Sequence, residues 1–113
     1  MDKKEFDRIL TAVGAVFDLD RRVMLSRLRE DRVIQGRHLA MFLVRYRMLL
    51  KYAAIAGLFN RFDHGTVHHA CHAVVARYKQ DPSYLQKVQR VIEQLEPVSL
   101  EERKILELEG ITV

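Results

Sequence analysis

The 113-residue chain has one cysteine, two prolines and five glycines. Each scarcity excludes something. A lone Cys71 rules out an internal disulfide and suits a reducing compartment. Few prolines, few glycines and few β-branched clusters favour helices over a turn-rich β fold. No apolar run approaches the roughly 18–20 residues of a membrane span. The first ten residues, MDKKEFDRIL, are charged where a secretory signal would be apolar. A cytoplasmic protein with no membrane partner is expected. The chain also lacks a GxxxxGK phosphate loop and a carboxylate pair set for acid–base work, so no enzyme, catalytic residue or cofactor is expected.

What is present is ordinary for one small globular domain with one core: 49% hydrophobic and 30% charged residues. The formal charge is +4 and the pI about 9.5. The charge is uneven. Residues 97–113 hold two basic and four acidic side chains, so residues 1–96 carry 17 basic against 11 acidic. Such an excess permits a polyanionic partner without requiring one.

Apolar spacing predicts an all-α domain of five to six helices. Phe6, Ile9, Leu10, Val13 and Phe17 form one stripe over about 3–17. A short turn of helix is expected at Val23–Leu25. Ser26-Arg-Leu-Arg-Glu-Asp-Arg32 reads as a charged loop. A long helix is expected over about 33–50, apolar nearly all round and therefore central. A short one follows over about 52–59, then a tight turn at 60–62. Asp63 is a good N-cap for a helix over 64–79, with Val67, Ala70, Cys71, Val74, Val75 and Tyr78 inward. Asp81-Pro82 opens another helix to about residue 96. Pro97 ends it, and Ser99-Leu-Glu-Glu102 is a capping-box pattern in a tail or last short helix. The expected organisation is one domain over 1–96 and a tail over 97–113.

Four of the five histidines fall in "FDHGTVHHACH", Phe62 to His72. His64, His68 and His72 are spaced i, i+4, i+8, which could chelate a metal through neutral imidazoles. No second cysteine or acidic residue completes a signature, so no metal site is expected. Cys71 lies mid-stripe and reads as a core thiol.

A short helix, a tight turn and a longer helix with a polar face make a helix-turn-helix candidate, whose second helix enters the major groove by its N-terminus. Asp63 can accept from a cytosine amino group, His64 can donate or accept, and the Thr66 methyl can pack on a thymine methyl. Gly65 and His68 share the exposed side of this helix. Arg27, Arg29, Arg37, Arg61 and Lys51 are available to hold phosphates. Spacing alone fits an ordinary solvated helix face equally well.

Ser26-Arg-Leu-Arg29, Arg37-His-Leu-Ala-Met41, Ile55, Phe59 and "FDHGTVHHAC" carry a resemblance to a known family. Order and spacing resemble the C-terminal helix-turn-helix DNA-binding domain of the bacterial replication initiator DnaA, over about residues 3–96. The resemblance implies binding of double-stranded DNA at replication origins, with a helix in the major groove and a basic-loop arginine in the minor groove. It implies base reading by Asp63, His64 and Thr66, a minor-groove role for Arg29, and a polar contact from Arg37. His69 matches the second histidine of the signature.

The chain departs from that pattern at several points. Gly65 stands where a threonine is usual, Phe62 replaces an arginine, and His38, beside Arg37, replaces a glutamine and is expected to contact DNA in its place. Glu30 and Asp31 bring negative charge to the basic loop. An initiator's ATPase module does not fit in 113 residues, so another protein supplying ATPase or regulatory function is an expected partner. The rival expectation is a protein-interaction module on the same scaffold.

Overall fold

The computed structural model describes residues 3–61 and 63–95. The capping-box segment, the tail and Phe62 lie outside the described residues. Six helices follow in order: α1 Lys3–Phe17, α2 Arg21–Met24, α3 Asp31–Met48, α4 Tyr52–Leu58, α5 His64–Gln80 and α6 Pro82–Gln94. No strand occurs among the described residues.

Local chemistry explains the starts. The carboxylate of Asp20 accepts from Val23 N at 2.8 Å, that of Asp63 from Gly65 N at 2.8 Å, and that of Asp81 from Ser83 N at 3.0 Å. Each satisfies an amide that the helix cannot pair, and contributes about 1 kcal/mol. Pro82 takes the first position of α6, where its missing N–H is harmless.

Boundaries differ from the sequence reading at α2, which begins at Arg21, and at both ends of α3, which stops at Met48. The charged run Ser26–Arg32 is not wholly a loop, because α3 begins at Asp31 with Glu30 at its N-cap position. An acidic first turn complements the helix dipole, which the absence of apolar periodicity had hidden.

Helix α3 is the centre of the molecule. It packs on α5 and α1, while α4 packs on α5, and α6 on both α1 and α5. Val33, Leu39, Ala40, Met41, Phe42, Leu43 and Val44 of α3 are all buried. Each large apolar side chain removed from water contributes about 1.5–3 kcal/mol. Phe6 meets Phe59 edge-on at 5.7 Å, joining α1 to the end of α4, and Phe17 meets Tyr84 at 6.2 Å, joining α1 to α6. Arg47 crosses from α3 to Glu5 of α1 at 2.6 Å and also donates to the carbonyl of Leu95 at 3.1 Å. The Asp18–Leu19 turn comes so near α1 that a Cβ on Gly14 would stand 2.3 Å from the Leu19 carbonyl oxygen. Only glycine fits there.

Candidate nucleic-acid interface

Helices α4 and α5 form the helix-turn-helix. The end of α4 explains the sharpness of the turn. Asn60 N donates to Gly57 O at 3.2 Å and Arg61 N to Ala56 O at 2.7 Å, with Asn60 in the left-handed region at φ 58°. This is a Schellman closure with asparagine where glycine is commonest. The chain then reaches Asp63, whose cap starts α5.

The tip of α5 stands at the surface. Asp63 and His64 are exposed, and Gly65 and Thr66 half-buried. The bare Cα of Gly65 lies against the Asp63 carboxylate: a Cβ there would stand 3.0 Å from Oδ1. Farther along the same helix, His68 is exposed, with its ring edge-on to Tyr52 of α4 at 5.3 Å. Its Nε2 is 3.2 Å from Nε2 of His72, so one imidazole donates to the other. His64 does not join them in a ligand set: no group of three or more histidine, cysteine, aspartate or glutamate side chains placed to hold a metal occurs among the described residues. Cys71 is buried, as its place in the stripe implies. Lys51 is exposed at the N-cap position of α4.

The loop between α2 and α3 is tied to this unit by arginines. Arg37 of α3, expected at the surface as a phosphate contact, is only 5% exposed. Its Nε donates to Met24 O at 2.9 Å and its Nη2 to Leu28 O at 3.0 Å. The carbonyls of an irregular loop have no helical partner, and a five-donor guanidinium satisfies two of them at once. Burial, then the nearby Arg61 charge, lowers the Arg37 pKa. Arg61, in the turn before α5, donates from Nη1 to Phe59 O and from Nη2 to Ser26 O, both at 3.0 Å. Arg27 reaches back from the loop to Asn60 O at 3.4 Å. The loop that carries Arg29 is thereby laced to the turn that carries Asp63. Arg29 itself is exposed.

A cleft of about 480 Å³ lies between the loop, α3 and α5, and Arg29 and Thr66 both line it. Deeper in, His38 of α3 faces α5. Arg77 Nη1 is 3.0 Å from His38 Nδ1. Arginine has no acceptor, so Nδ1 accepts and the imidazole proton sits on Nε2. Burial first, then Arg77 and other nearby cations, pushes the His38 pKa down to about 4, so the ring is neutral at physiological pH. His69 meets the same ring edge-on at 6.1 Å.

Two polar residues of this cleft were absent from the sequence-derived site, beside the apolar Ile34 and Met41: His69, noted there only as a match to the signature, and Arg77. A signal for both existed. Thr66, His69 and Arg77 recur at i, i+3 and i+11, on one side of α5.

The family model described as the bacterial dnaA protein helix-turn-helix matches residues 6–74. Similar proteins include chromosomal replication initiator proteins DnaA of Acholeplasma laidlawii, 25% identical over 85% of this chain and 21% of the relative. That of Bacteroides thetaiotaomicron is 32% identical over 75% of this chain and 18% of the relative, and that of Flavobacterium psychrophilum 38% identical over 60% and 14%. The chain thus spans about a fifth of the length of the curated relatives it matches.

Proposed function

Since the chain belongs to the DnaA helix-turn-helix family, we propose that it is a non-enzymatic protein that binds double-stranded DNA with sequence preference, in replication or its regulation. Asp63, His64 and Thr66 read base edges in the major groove. Arg29 enters the neighbouring minor groove, and Lys51 and Arg27 hold phosphates. Arg37 and Arg61 act from behind, holding the loop in register with the helix.

One observation carries this reading. Thr66 in the first turn of α5 and the exposed Arg29 line one cleft, with Arg29 on a loop fixed to the turn by Arg61 and Arg27. A cation and a set of base-reading groups are thus presented side by side, as binding across a phosphate strand requires.

The test is titration of a labelled duplex by anisotropy with wild type, Arg29→Ala and His64→Ala. Both side chains are exposed, so both variants should keep the wild-type melting temperature. Each should weaken binding by about 1–3 kcal/mol. Affinity should also fall steeply with salt, with a slope of roughly −0.9 per phosphate neutralised. Equal affinity of all three proteins, or no salt dependence, would instead favour the interaction-module reading. The exposed Leu28 beside Arg29 and the acidic Glu30 and Asp31 favour that reading.

A further inference from the structure

The inner wall of the cleft is more cationic than a duplex can use. Arg27 and Arg29 stand at its rim, and Arg37, Arg61 and Arg77 within it, with no aspartate or glutamate among its lining residues. None of the five pairs with a carboxylate among the described residues.

Three of these guanidiniums are already immobilised. Arg37 and Arg61 are held on backbone carbonyls. Arg77 is held on His38 and lies 5.9 Å over the Tyr84 ring. Like charges are gathered by contacts that do not neutralise them. Such an arrangement loses little side-chain entropy when an anion arrives. The duplex reading uses Arg29 and Arg27 at the rim and gives Arg77 no part.

We propose that the cleft is a binding site for a small free ligand bearing a diphosphate group, and that its occupancy competes with DNA for Arg29. Arg29 at the rim keeps a fork that matches two phosphoryl oxygens, and the inner arginines keep the N–H groups not given to carbonyls or His38, so two linked phosphoryl groups meet more donors than one compact anion does. The volume lies within the range of small-ligand sites, and the half-buried Ile34 supplies an apolar edge for whatever the diphosphate is attached to. His38, with its proton on Nε2, adds a neutral donor. The competition rests on the DNA reading, but the ligand site does not.

The experiment is calorimetric titration of the DNA-free full chain with inorganic pyrophosphate, beside sulfate at equal ionic strength. Pyrophosphate should bind saturably, at least roughly tenfold more tightly than sulfate, and Arg77→Gln should weaken it by a further roughly tenfold while Arg77→Lys restores part of the loss. Should Arg77→Gln unfold, Arg27→Gln at the exposed rim takes its place in the pyrophosphate titration alone, since Arg27 also serves the duplex. Saturating pyrophosphate should weaken duplex binding by wild type and not by Arg77→Gln. Absence of saturable binding, equal binding of sulfate, or indifference to both arginine variants overturns the proposal. If pyrophosphate fails while duplex binding stands, the ligand site falls and the DNA reading survives. If pyrophosphate binds and no duplex does, the site stands and the DNA reading falls.

Discussion

His38 shows how one side chain records its surroundings. The charges about it are Arg77 and His69 from α5, Arg37 from α3 itself and Arg61 from the turn before α5. Its ordinary pKa of 6.5 is lowered to about 4 in the folded chain. Between those values the unfolded chain holds a proton on this ring that the folded chain does not. The stabilising contribution is therefore complete above pH 6.5 and is lost progressively as pH falls towards 4. Denaturant midpoints measured from pH 7 to 4 should fall less steeply for His38→Gln than for wild type. Parallel profiles would mean that the ring titrates freely. At the same scale, Arg37 was expected to touch phosphate and instead lies beneath the loop. Nothing local in the sequence distinguishes a surface arginine from one that satisfies carbonyls nine or thirteen residues away.

At the scale of elements, the turn between α4 and α5 decides whether the α5 tip meets the Arg29 loop. Its closure depends on Asn60 in the left-handed region. A β-branched residue there costs about 1–2 kcal/mol, since its Cβ crowds the following carbonyl. Asn60→Val should lower stability by about that amount in urea melts, whereas Asn60→Gly should leave it unchanged or slightly raised. A neutral valine would mean that the turn relaxes freely.

The helices themselves were legible because their caps and stripes are local. Asp63 and Asp81 mark starts, and Val67, Ala70, Cys71, Val74 and Tyr78 mark a buried face. The start of α3 was misread because Glu30 and Asp31 carry no apolar signal. The inner cleft stayed hidden for a different reason. His38 and Arg77 are 39 positions apart, and only the packing of α3 on α5 joins them.

At the scale of the molecule, the packing of four helices on α3 puts a cationic cleft beside the tip of α5. The formal charge of +4 understates this concentration, because Asp7, Asp18 and Glu5 pair with arginines elsewhere on the chain. The DNA proposal depends on the exposed tip of α5, with Arg29 on the neighbouring loop, reading a duplex. Selection from a random duplex library by the full chain tests it most directly. Wild type should enrich a short common motif, and that motif should be lost when Asp63 and His64 are both alanine. Failure to enrich any sequence, or recovery of the same motif by the doubly substituted protein, would contradict it.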